Sequence, residues 1–300
     1  MKYITIKLLW GKMDLYKIRD EINEIIRKKQ EELGMSFVED THTYTMLDKE
    51  GNSRTDWPSV SKVMKLFYTE FDTDGIAEKK SKGDPEEKAR LLKEWSDAGT
   101  YSTNMGSRVH FLLEKKSVEM FGLDKEVREP IFEVDFTQVL KGDSMISAGI
   151  KYLELMKDRE GVLLDTEIVL GSNELGYVGQ PDKKWLFFNK EKTEVGIVVT
   201  DWKSNKRKNF EASYFTKKMK PPFQHLDDTA LGHYFTQLPF YGRLLLDMLK
   251  GSKYENIKIY GCIVVHLSDE GEFEEFRVPK DVQNTILNMD MSKYLTNKKK

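Results

Sequence analysis

Three strand-like runs crowded between helical stretches constrain this chain more than any other feature. Residues 163–170, 177–188 and 195–202 are rich in β-branched and aromatic side chains, and the turn-forming stretches 173–176 and 189–194 separate them. They predict a three-strand antiparallel meander. Before it, residues 16–33 place Ile18, Ile22, Ile25, Ile26 and Leu33 near helical period with Gly34 as a stop, and residues 103–120 and 144–160 also read as helices. After it, helical period returns at 230–249, ahead of two further strands at 257–267 and 272–278. This order predicts an α/β fold with a mixed central sheet flanked by helices rather than a doubly wound one. Residues 37–47 and 57–60 predict a hairpin around the turn-rich stretch 48–56, and Pro58-Ser59 introduces a helix bearing Val60, Val63, Met64 and Phe67. The charged stretch 69–97, split by Gly83-Asp84-Pro85, reads as two surface helices forming a flap. The expected division is an N-terminal strand and helix extension at 1–36, one main domain at 37–285, and a basic tail at 286–300.

Composition narrows the function classes. At 39% hydrophobic and 33% charged residues the chain belongs with soluble globular proteins, and no apolar run approaches the roughly 20 residues that span a bilayer. Residues 1–10 alternate like a strand and lack a signal-peptide core, while Asp14, Arg19 and Asp20 do not fit an Arg-rich, acid-poor transit peptide. A cytoplasmic protein without a membrane partner is expected. The single Cys262 leaves no disulfide and no cysteine-based metal cluster. The net charge of -2 is unevenly spread: residues 203–220 hold seven Lys or Arg and one acid, a local +6 that leaves -8 for the remainder.

The chemistry concentrates at the strand ends. In Asp201-Trp202-Lys203 successive side chains alternate faces, so Asp201 and Lys203 project to the same side. The preceding strand carries Gly179-Gln180-Pro181-Asp182, and the intervening hairpin returns Asp182 beside Asp201. Converging carboxylates suit Mg²⁺ or Mn²⁺, which activates water, offsets charge on phosphorus and assists a departing oxygen. Lys203 would either hold the attacking water or stabilise the pentacovalent state. Upstream, Gly106, His110 and Glu114 stand four apart and share a helical face. There Gly106 permits close approach, His110 offers an imidazole ligand, and Glu114 orients that ligand or the site. Downstream, Gln237 and Tyr241 share another helical face.

Taken in order, Gly-x-x-x-His-x-x-x-Glu at 106–114, Gly-x-x-Asp at 179–182, Asp-x-Lys at 201–203 and Gln-x-x-x-Tyr at 237–241 resemble the PD-(D/E)XK nuclease superfamily. Over residues 37–249 the chain is most similar to its RecB-like exonuclease group, of the phage and mitochondrial genome maintenance types. Pro58-Ser59-Val60-Ser61 resembles an early element of such chains. The resemblance implies a restriction-endonuclease-like core and a metal-dependent DNA exonuclease of replication, recombination or repair. Its alternatives are a structure-specific endonuclease and a catalytically silent nucleic-acid-binding accessory protein. It implies Asp182, Asp201, Lys203 and Glu114 as the catalytic set, and His110, Asp182, Asp201 and Trp202 as the Mg²⁺ or Mn²⁺ set. Gln237 and Tyr241 would lie beside DNA. Gly106 and Glu167 would support the site, although a plain strand salt bridge explains Glu167 equally well. Members with an iron–sulfur cluster need four cysteines, so a cluster is excluded here. In the +6 segment Lys206, Arg207 and Lys208 would neutralise phosphates, with Phe210, Tyr214 and Phe215 available to stack on unpaired bases. The partners implied are DNA with single-stranded or free ends and replication or recombination proteins, in a bacterial or phage-infected cell.

Overall fold

In the computed structural model, which describes residues 14–38, 41–130, 132–213 and 216–295, the first described element is helix α1 (Leu15–Glu32). The Asp14 carboxylate caps it, accepting the Tyr16 N–H, and the helically spaced Leu15, Ile18, Ile22 and Ile26 are all buried. The strand expected at 1–10, the lysines ending the tail, and Tyr214 and Phe215 lie outside the described residues.

Strands β1 (Ser36–Val38), β2 (Thr43–Leu47) and β3 (Ser53–Arg54) form a small antiparallel sheet, followed by helix α2 (Val60–Met64). The expected hairpin is thus built differently. Segment 37–47 folds back on itself, and the Asp48 carboxylate accepts the Glu50 and Asn52 N–H groups in the turn to β3. Residues 57–60 do not pair with it, because Ser59 caps α2 and bridges Val178 instead.

The flap's two helices are α3 (Thr73–Ser81) and the start of α4 (Pro85–Phe121), but α4 does not stop where a surface helix was expected. It runs unbroken through 103–120, for 37 residues and about 55 Å. Gly99 and Gly106 are the weak points on the way, and an isolated glycine costs about 1 kcal/mol without ending a helix. Helix α5 (Phe136–Asp158) likewise begins before 144, because Asp135 and Gln138 form a reciprocal capping box.

The remaining elements are β4 (Val162–Thr166), β5 (Leu170–Ser172), β6 (Tyr177–Gly179), β7 (Lys183–Phe188), β8 (Val195–Lys203), α6 (Ala230–Met248), β9 (Lys258–Leu267), β10 (Phe273–Arg277), α7 (Lys280–Asn288) and α8 (Ser292–Leu295). Five of the strands form the central sheet in the order β10-β9-β8-β7-β4. Its β8–β9 pair is parallel and spans the α6 crossover, as parallel neighbours require, and the other pairs are antiparallel. The fold is α/β with a mixed sheet flanked by helices. Adjacent residues face opposite sides. Leu164, Leu186, Ile197, Val199 and Val264 pack with α1, α6 and α7, whereas Leu163, Trp185, Trp202, Ile263 and Val265 pack with α4 and α5. The first of these cores contains α1 and continues past residue 285 through Ile286, Met289 and Met291, so the outer segments of the expected division share the main core. Among the described residues no helix is long and apolar enough to cross a membrane.

Two of the expected strands are each broken in the middle. Segment 163–170 divides into β4 and β5 where Glu167 takes a positive φ of 50°, and segment 177–188 divides into β6 and β7 at Gln180-Pro181-Asp182, where proline has no N–H for the ladder. The Glu167 N–H donates to the Asp182 carbonyl at 3.1 Å, which ties the two breaks together at one end of the sheet.

Lys184 of β7 is fully buried opposite Asp165, and its Nζ has no hydrogen-bond partner among the described residues. Burial pulls the ammonium from 10.5 down to about 8, against the opposing pull of Asp165. With the folded-state value depressed, the unfolded chain binds more protons between about pH 8 and 10.5, so stability rises across that window and the full penalty stands below it. Lys184→Met should therefore stabilise the protein by about 2–3 kcal/mol at pH 7, with the advantage shrinking toward pH 10. Urea unfolding of both proteins at the two pH values checks this. A variant no more stable at pH 7 contradicts it.

Candidate metal centre

The break between β6 and β7 places Asp182 at the entrance to β7, and the β7–β8 register, Lys183 opposite Thr200, sets it across from Asp201. The Trp202 backbone N–H donates to Asp182 Oδ2 at 2.7 Å, which fixes the carboxylate and leaves Oδ1 facing His110 Nδ1 at 3.6 Å. Helix α4 supplies that histidine from the other side of the sheet end. Gly106, one turn earlier on the same face, lies by the loop after β8: a Cβ there would sit 3.4 Å from Ser204 Oγ. Glu167 completes the group. One ligand atom from each of His110, Glu167 and Asp182 lies within 4.8 Å of the others. Two carboxylate oxygens and an imidazole nitrogen form a donor set that fits Mg²⁺ or Mn²⁺.

The electrostatics follow from crowding acids in a buried place. Burial and the Asp182 charge push the Glu167 carboxyl up to about 8. Burial also pushes Asp201 up, with Asp182 adding to it and Lys203 opposing. For Asp182 itself burial acts upward too, but His110, Lys203 and Lys183 outweigh it and hold the carboxyl well below the usual range. Asp201 pairs with Lys203, whose Nζ stands 4.4 Å from the centroid of the Tyr234 ring. Burial alone would lower the Lys203 ammonium, yet Asp201 and its neighbours overcome this and keep it above the ordinary lysine value.

The other expected site residues fall in several places. Asp201 stands beside the three-residue group, held by Lys203, and is not one of its members. Trp202 contributes its backbone N–H. Its indole is buried on the far face, edge-on to Tyr152 at 5.4 Å, and offers the centre no ligand atom. Glu114 turns away to accept the Thr166 hydroxyl at 3.0 Å and to pair with Lys125 at 2.8 Å. Gln237 and Tyr241 are both buried, with Gln237 Nε2 donating to the Tyr241 hydroxyl at 3.0 Å. At 6% exposure Tyr241 is not on a surface open to a strand, and burial, with Asp201 and Asp182 adding to it, holds its phenol far above the usual value. Its ring packs so closely on β6 that a Cβ at Gly179 would lie 2.7 Å from Tyr241 Cε1.

In the basic segment Arg207 is engaged by Glu274 and Glu211, whereas the exposed Lys206, Lys208, Lys217 and Lys220 make no ion pair among the described residues. Phe210 is not free to stack on bases, being buried against Tyr234, His266 and Phe276. Three supports had gone unread in the sequence: Tyr234 under Lys203, Lys125 on Glu114, and Gln180, whose Nε2 donates to the Glu167 carbonyl at 3.0 Å. Tyr234 carried a usable signal, lying three residues before Gln237 on α6 and so on nearly the same face. No protein-family model matches this chain, and no curated protein is significantly similar to it.

Proposed function

We propose that this chain is a divalent-cation-dependent DNA nuclease with a PD-(D/E)XK, restriction-endonuclease-like core, acting as an exonuclease in replication, recombination or repair. The observation that carries the reading is the grouping of His110, Glu167 and Asp182 beside the Asp201–Lys203 pair at one end of the sheet. These three residues would hold Mg²⁺ or Mn²⁺, which when bound supplies an activated water and a counter-charge for the phosphate. The Trp202 N–H orients Asp182 for that task. Lys203, kept protonated by Asp201, is no general base; it presents a fixed positive charge where the phosphate becomes more anionic. Tyr241 and Gln237 back the acids, and the unpaired lysines at 206, 208, 217 and 220 offer charge for the backbone phosphates.

The test uses end-labelled linear single- and double-stranded DNA and circular single strands, each with Mg²⁺, with Mn²⁺ and with EDTA. Metal-dependent shortening of linear strands and survival of circles are expected. Cut circles would turn the assignment to an endonuclease, and intact DNA under every condition would remove the nuclease reading.

A further inference from the structure

A cavity of about 850 Å³ adjoins the centre, lined by its His110 and Glu167, by Glu114 one turn further along α4, and by Phe37 and His42 from the β1–β2 hairpin. Phe37 and Tyr44 are directly opposed in that hairpin and their rings stack, with centroids 4.5 Å apart and 26° between planes. His42 meets Phe37 edge-on at 5.9 Å. Tyr44 is anchored, packing on the small buried cluster of Leu33, Met46, Trp57 and Val178. Phe37 therefore rests on a fixed base and remains only half-buried, at the wall of a cavity that reaches the candidate ligands.

We propose that Phe37, backed by Tyr44 and flanked by His42, is a stacking platform for an unpaired nucleobase of the strand entering the centre, so that the substrate is single-stranded at this point. The proposal rests on the phosphodiesterase reading of the centre. The charge of the cavity favours a base over a bare phosphate. Glu114, Glu126, Glu129 and Glu167 line it against two cations, Arg128 and the Lys125 that pairs with Glu114, whereas the exposed lysines at 206, 208, 217 and 220 do not. With acids outnumbering cations there, an aromatic face is the better source of affinity, and every base has a π-face to offer. A base inside a duplex already has both faces covered. Phe111, next to His110 in α4, lines the same cavity and adds apolar surface.

Binding separates this proposal from the activity. A fluorescent single-stranded oligodeoxynucleotide and the same strand with abasic terminal nucleotides are titrated by anisotropy, with Ca²⁺ in place of Mg²⁺. The native protein should bind the complete strand about tenfold more tightly, equivalent to about 1.4 kcal/mol, in line with loss of one base–aromatic stack. Phe37→Leu keeps an apolar side chain but removes the flat ring. It should bring the complete strand to the abasic level without changing the abasic strand, and Phe37→Trp should restore the difference. Equal weakening of both strands by Phe37→Leu, no effect on either, or no binding of either strand by the native protein overturns the platform. Parallel Mg²⁺ digestion keeps the two ideas apart: an uncut strand that still shows the Phe37-dependent difference removes the nuclease reading alone, and a strand cut equally well with and without its terminal bases removes the platform alone.

Discussion

Lys203→Ala is expected to lower kcat for DNA cleavage on the order of 10²–10³-fold at saturating Mg²⁺, with a much smaller change in KM. The Lys203 side chain is only 17% exposed, and its ammonium is paired with Asp201 and stands over the Tyr234 ring. A charge fixed in such a place needs little reorganisation when the phosphate gains negative charge, which is when its interaction strengthens most. The substitution also leaves Asp201 buried near Asp182 without its counter-charge, and breaking a buried pair costs about 3–5 kcal/mol. A loss of activity could then reflect a loss of fold. Lys203→Met combined with Asp201→Asn removes both charges and should recover thermal stability without recovering cleavage. Single-turnover product ladders and melting curves on the three proteins decide the matter. Cleavage by Lys203→Ala at the native rate would remove Lys203 from the reaction.

The sheet and its helices could be read from periodicity because burial enforces it: Ile18, Ile22 and Ile26 repeat at helical spacing and Ile197 and Val199 alternate, and each set faces one core. The Asp201–Lys203 contact could also be read, since strand alternation places residues two apart on one side. The strand breaks were less legible. Nothing in the composition of 163–170 announces a positive φ at Glu167, because a non-glycine residue adopts it only when tertiary contacts stabilise it, here a backbone hydrogen bond to Asp182 and one from Gln180. Yet that break is what turns Glu167 into the group with His110 and Asp182. The same limit applies to Gln237 and Tyr241. A motif on one helical face shows that two side chains lie together, but whether the face looks outward or inward depends on the neighbouring strand, and here β6 covers it. Arg207 and Phe210 show the converse. Counting charges and rings along 203–220 suggests an open basic surface, but Glu274 engages the arginine and the core takes the phenylalanine.

Titration with Mn²⁺ is expected to raise the melting temperature by about 4 °C when the ion exceeds its Kd about 100-fold, a linkage contribution of about 2.7 kcal/mol. The physical reason lies in the unequal treatment of the acids. Only Asp201 has an ammonium partner of its own, while Asp182 relies on His110 and more distant lysines, and Glu167 is left with a strongly raised pKa by burial and by Asp182. A divalent cation among the three ligand atoms would relieve that repulsion in the folded state, whereas the unfolded chain no longer holds the ligands together. Asp182→Asn should abolish the shift, and Glu167→Gln should remove most of it. Glu114→Gln should leave it nearly intact, because Glu114 is already satisfied by Thr166 and Lys125 outside the group. Calorimetric scans with and without Mn²⁺ on the native protein, these three variants and Asp201→Asn measure all of this. If Glu167→Gln kept the full shift while Asp201→Asn lost it, the ion would be held by the acid pair on β7 and β8, and the strand break at Glu167 would have no part in binding it.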